Sequence, residues 1–168
     1  RIFLVCESME FYRSDDLGAT IQQLSPPTPA DFYGYYDAVL AVSPVNANTV
    51  ICGGLNMAKS TDGGNTWASL AAQMPFGVYR RISLDVSPTD WRRVAMVSID
   101  SEKTSGGTYA DDMEGVAFTN DGGATWTVRG VSQNYGGYLY SAYYVTDQIV
   151  LAGATDGKSF RSANGGHN

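Results

Sequence analysis

Histidine is nearly absent from this 168-residue chain, with His167 the single one, and cysteine is scarce, with Cys6 and Cys52 alone. One imidazole excludes a His-cluster zinc site, and no Ser-His-Asp nucleophile set stands out around it. A basic surplus is also missing: 11 Lys and Arg stand against 17 Asp and Glu, a formal charge of -6. Phosphate backbones are held by clustered cations that release counterions, so nucleic acid is excluded as a partner. The dense basic spots, Arg80-Arg81 and Arg92-Arg93, read as solvated strand-edge pairs. No stretch reaches the ~20 apolar residues of a membrane-spanning helix, and no signal-peptide pattern opens the chain. It starts at Arg1 without an initiator Met and stops inside a repeated motif, so it is expected to be a fragment of a longer polypeptide.

What the chain has in quantity is glycine, 19 residues, and tyrosine, 11, among Val- and Ile-rich runs. That composition favours strands and tight turns over helices, hence an all-β fold. Self-similarity is plain. Ser60-Thr61-Asp62-Gly63-Gly64-Asn65-Thr66-Trp67 recurs as Thr119-Asn120-Asp121-Gly122-Gly123-Ala124-Thr125-Trp126. A weaker copy runs from Ser14 through Asp16, Gly18 and Thr20, with Ile21 in place of Trp, and a truncated one holds Ser162, Asn164 and Gly166. The flanks repeat too: Ser43-Pro44 and Ser87-Pro88 lie about 44 residues apart, the length of one propeller blade. The interval between the second and third copies is longer by about fifteen residues, matching an insertion at Ser101 to Gly115.

One unit reads as an inner strand at Tyr36 to Val42, a turn, strands at Thr49 to Gly53 and Met57 to Ser60, and then the motif as a hairpin turn. In that turn the Asp accepts backbone N–H groups, the glycines permit positive φ, and the Trp packs beneath. Four antiparallel strands per unit make a β-propeller blade. The chain then divides into the end of one blade (1–24), two blades (25–75, and 76–132 with insertion 101–115) and the start of another (137–168), part of a larger ring. Cys6 and Cys52 occupy equivalent positions eight residues before a motif Ser, too far apart for a disulfide, and both are expected to be buried free thiols.

The pattern Ser/Thr-x-Asp-x-Gly-x-Thr-Trp resembles that of the Asp-box (BNR) propeller families, among them sialidases, xyloglucanase-type glucanases, sortilin-like receptors and photosystem-assembly factors. The stretch from Gly34 to Gly54, with Lys59 to Gly64, is similar to blades of large secreted Bacteroidetes proteins exported by the type IX system. The resemblance implies a secreted or cell-surface address, and a ring completed by remaining blades of the same protein or by other chains. In it Ser14, Asp16, Gly18, Ser60, Asp62, Gly64, Thr66, Trp67, Thr119, Asp121, Gly123, Thr125, Trp126, Ser162, Asn164 and Gly166 are structural.

Catalysis is not supported by the motifs. The Arg-Ile-Pro element that sialidases carry is absent, and Arg13 and Arg161, just before motifs, read as outward strand positions. A glucanase needs two carboxylates across a cleft, and Asp31, Asp37, Asp85 and Asp100 have no spacing that separates them from turn acids. No cofactor is implied, calcium excepted: Asp111, Asp112 and Glu114 in the insertion offer hard oxygen ligands, or form a solvated acidic loop. Tyr33, Tyr35, Tyr36, Tyr135, Tyr138 and Tyr140 lead into inner strands, where flat rings with polar tips either stack on a glycan or protein ligand or pack between blades. The reading is a non-catalytic segment for protein or carbohydrate binding, adhesion or assembly. A piece of a glycoside hydrolase and a subunit of a surface filament are the alternatives.

Overall fold

Short β-branched and aromatic runs, each stopped by a Ser-Pro, Asn or Gly turn, leave the backbone little choice but hairpins. A computed structural model describes residues 1–6, 8, 10–28, 38–75, 81–99, 102–103, 109–110, 113–129, 139–154 and 157–166. In chain order the strands are β1 (Ile2–Val5), β2 (Phe11–Ser14), β3 (Gln22–Leu24), β4 (Val39–Val42), β5 (Val50–Gly53), β6 (Met57–Ser60), β7 (Ala68–Ser69) and β8 (Arg81–Val86). They continue with β9 (Val94–Ile99), β10 (Glu102–Lys103), β11 (Tyr109–Ala110), β12 (Met113–Thr119), β13 (Thr127–Arg129), β14 (Leu139–Tyr144), β15 (Val150–Ala154) and β16 (Ser159–Ser162). A single 3-10 turn, Ala71–Gln73, is the one helical element among the described residues.

The strands form four antiparallel sheets in sequence order: β1-β2-β3, β4-β5-β6-β7, β8-β9-β12-β13 and β14-β15-β16. Within the insertion 101–115 of the third sheet, the described residues form a small hairpin, β10-β11, and the first residues of β12. Each sheet meanders through neighbouring strands, as a propeller blade does.

The apolar cores lie between successive sheets. Phe3 and Phe11 of the first meet Val50 and Trp67 of the second. Ile51, Met57 and Leu70 of the second meet Ile82, Val94, Met96 and Ala117 around the third. Ala95, Val97, Val116 and Phe118 of the third meet Ala142, Tyr144, Val150 and Ala152 of the fourth. Strand β5 and the first four residues of β9 are therefore buried on both faces and read as unbroken apolar runs. Strands β1 and β15 alternate instead, because only one of their faces is covered: Phe3 is buried between exposed Ile2 and Leu4, and Leu151 is exposed between buried Val150 and Ala152.

Candidate functional site: repeat turns and sheet junctions

The four repeat turns share one hydrogen-bond scheme. In the second, Ser60 Oγ accepts the Gly64 N–H at 2.8 Å and donates to Asp62 Oδ1 at 2.8 Å. Asp62 in turn accepts the Thr66 N–H at 2.9 Å and the Thr66 hydroxyl at 2.6 Å. Asp16 holds Thr20 in the same way, at 2.8 Å and 2.7 Å, and Asp121 holds Thr125 at 2.9 Å and 2.5 Å. In the fourth turn Ser162 accepts the Gly166 N–H at 2.8 Å and donates to Asn164 Oδ1 at 2.9 Å.

These bonds favour the ionised carboxylate. The Thr20 backbone N–H and hydroxyl take Asp16 down to about 2, and the Thr66 hydroxyl and N–H do so for Asp62. Burial pushes Asp121 up, but bonds from Thr125 and Thr119 outweigh it and leave it at about 2 as well.

The second, third and fourth turns are each tied to the first loop of their own sheet and packed against the sheet before it. The Gly63, Gly122 and Gly165 N–H groups donate to the carbonyls of Asn48, Arg92 and Gln148, at 2.8, 2.9 and 2.7 Å. Across the junctions, Arg13 Nη1 donates to the Gly63 carbonyl at 2.9 Å, and Lys59 Nζ to the Gly122 carbonyl at 3.0 Å. Lys59 also lies over the Trp91 ring, 4.3 Å from its centroid. The second turn glycine sits against the preceding sheet: Gly64, at φ +88, leaves no room for a Cβ beside Phe11, and Gly166, at φ +89, none beside Phe118.

Between the third and fourth sheets the junction is more polar. Asp147 accepts from the Ser87 and Thr89 hydroxyls, and its backbone carbonyl accepts Arg93 Nη1 at 2.9 Å. Asp85 reaches the other way and accepts the Tyr144 N–H at 2.7 Å. Burial, ahead of all other causes, raises the Tyr144 phenol to about 12. Its hydroxyl and Trp67 Nε1 are buried with no hydrogen-bond partner, whereas Trp126 Nε1 donates to the Gly123 carbonyl at 3.2 Å.

Several sequence readings change. Cys6 is exposed rather than buried and is not the counterpart of Cys52: the register sets Leu4 opposite Tyr12 as it sets Cys52 opposite Ala58, so Cys6 lies past the end of β1 in the hairpin. Cys52 is buried in β5, and burial pushes its thiol up to about 12. Arg13 does not point outward: its side chain is 13% exposed and bridges two sheets. Arg92 is solvated and pairs with Asp90, but Arg93 spans a junction. Asp85, weighed as a cleft acid, instead joins two sheets.

Tyr33, Tyr35, Tyr36, Tyr135, Tyr138, Asp111 and Asp112 lie outside the described residues, as do Asp31, Asp37 and Asp100. Of Tyr140 on β14 and Glu114 on β12 only the backbone is described. Among the described residues, no three His, Cys, Asp or Glu side chains come together to hold a metal ion, and no helix is long and apolar enough to cross a membrane.

No protein-family model and no curated protein matches the chain in sequence. Solved structures match it in fold. Over 99% of its length it is similar to the Niastella koreensis GH74 enzyme, with a TM-score of 0.62, 20% identity and 27% of that chain covered. Over 83% it is similar to YCF48 in the structure bound to D1 peptide, with a TM-score of 0.55, 16% identity and 43% of that chain covered. Likeness at such identities speaks to architecture and not to chemistry. The architecture is an all-β propeller of antiparallel blades. The chain spans about a quarter of the first neighbour and less than half of the second.

Proposed function

We propose that this chain is a non-catalytic run of Asp-box blades within a larger secreted or cell-surface propeller, serving protein or carbohydrate binding or assembly. The observation that carries the proposal is the state of its carboxylates. Asp15, Asp16, Asp62, Asp90, Asp121 and Asp147 all have lowered pKa values and are bonded to turns, arginines or a neighbouring sheet. A glycosidase acid needs the opposite, a carboxyl held protonated near neutral pH. The YCF48 structure carries a bound peptide and the GH74 protein is an enzyme, so the same architecture serves both purposes. These six acids are engaged in turns, ion pairs and a sheet junction, which supports the first.

Tyr33, Tyr35, Tyr36, Tyr135, Tyr138 and Tyr140 are the candidate ligand-binding groups in this reading. The experiment is calorimetric titration of the intact polypeptide with β-glucan oligosaccharides, sialosides and extended peptides, run beside hydrolysis assays on the same glycans. Binding without turnover, lost on Tyr35→Ala and Tyr138→Ala at unchanged melting temperature, is expected. Hydrolysis abolished by Asp37→Asn or Asp85→Asn would overturn the proposal.

A further inference from the structure

The cross-strand register defines one lateral row on the same side of each sheet. In the first it is Phe3, Arg13 and Gln22; in the second Ala41, Ile51, Lys59 and Ala68; in the third Asp85, Ala95, Phe118 and Thr127. In each case this row faces the sheet next in sequence. Its β1, β5 or β9 member is sealed there: Phe3 is 7% exposed, Ile51 3% and Ala95 0%.

The fourth sheet presents the equivalent row, Tyr143, Leu151 and Arg161. It is open: Tyr143 is 60% exposed, Leu151 is 37% exposed, and Arg161 is exposed beside them. Arg161 directly precedes Ser162, just as Arg13 precedes Ser14 and Lys59 precedes Ser60. In both described cases that cation donates to the carbonyl of the first turn glycine of the following sheet. The third copy has Phe118 there, and that junction is carried by Arg93 and Asp147 instead.

We infer that the Tyr143–Leu151–Arg161 face docks a further blade of the same polypeptide, with Arg161 donating to the backbone carbonyl at the fourth position of that blade's Ser/Thr-x-Asp-x-Gly turn. The inference rests on the larger-propeller reading and adds the face, the contact residue and the accepting group. Two features select this occupant over others. The interface is continuous with three described junctions, each formed by the sheet next in sequence. The chemistry is also matched, since an arginine beside an apolar pair suits a turn that offers a carbonyl and a glycine flush with the neighbouring sheet.

Arginine footprinting of the intact polypeptide with phenylglyoxal, read by peptide mass spectrometry against the urea-unfolded chain, tests this. Arg13 and Arg161 are both expected to react at least about tenfold more slowly in the native protein than in the unfolded one, and Arg161→Ala to lower the melting temperature while Arg161→Lys keeps most of it. Arg161 reacting at its unfolded rate while Arg13 is protected would overturn the docking and leave the propeller reading intact. Both reacting freely would remove the propeller reading with it. Protection of Arg161 that disappears on dilution would assign the face to a second copy and overturn the same-polypeptide assignment.

Discussion

Three atoms set each of the first three repeat turns: a hydroxyl oxygen that accepts a glycine N–H, and two carboxylate oxygens that hold the Thr two positions after that glycine. Ser60 is almost fully buried, so Ser60→Ala leaves the Gly64 N–H without an acceptor. An orphaned buried donor costs about 1–3 kcal/mol. Urea unfolding of the variant should show that loss, with a neutral result for the neighbouring, exposed Thr61→Ala.

The first turn is imperfect: Leu17, at φ +61, stands where the others have Gly63, Gly122 and Gly165. A left-handed non-glycine residue costs ~1–2 kcal/mol, of which glycine's extra unfolded-state entropy returns ~0.5–1 kcal/mol. Leu17→Gly should therefore raise stability modestly, by up to about 1 kcal/mol, in the same assay.

The turn aspartates also fix the acid behaviour. Their folded pKa values, about 2, lie below the ordinary 3.8, so the folded state binds protons less readily than the unfolded one. Their stabilisation is complete above about pH 4 and is lost as pH falls through 2. Denaturant midpoints measured from pH 5 to pH 2 should fall, and Asp62→Asn should flatten part of that slope while lowering the plateau. Thiol labelling offers a further check: Cys52 should react only after unfolding.

At the scale of strands and turns, the sequence made the turns visible and hid the junctions. Ser14 to Thr20 and Ser60 to Thr66 bond within themselves, so their chemistry is written in consecutive residues. Arg13 finds its acceptor 50 residues on and Lys59 63 residues on, and the same position holds Phe in the third copy. A pattern that distant and that variable is not visible as a motif. The inner-strand and central-strand readings were legible because Val39–Val42 and Val50–Gly53 are short apolar runs between turns. Which faces they bury was not, since that depends on neighbouring sheets. The exposure of Cys6 is the clearest case: counting back from the motif equates it with Cys52, but the longer first hairpin gives that place to Leu4 and leaves Cys6 beyond the strand.

Sheet contacts should show this dependence. Phe11 is fully buried, stacked on Phe3 at 5.7 Å and edge-on to Trp67 at 5.0 Å. Phe11→Ala should cost ~3–5 kcal/mol. Gly64→Ala should also destabilise, since its Cβ would lie 2.5 Å from the Phe11 ring at a φ that alanine disfavours. The two losses should be strongly non-additive in a double-mutant cycle, because removing the ring makes room for the methyl group.

Across the whole molecule, four sheets stack in sequence order through three apolar junctions, and the outer row at each end is left uncovered. Ile2 and Leu4 on one end and Leu151 on the other are apolar groups at positions that internal sheets bury, and Tyr143 stands exposed beside Leu151. The chain covers 27% and 43% of two propeller proteins of the same architecture.

A cryo-EM or crystal structure of the intact polypeptide tests this arrangement most directly. It should show β1 to β16 as successive blades of one closed ring, with additional blades covering both Leu4 and Leu151. A ring in which the first and fourth sheets meet each other directly, or an intact protein that leaves both rows in solvent, would contradict it.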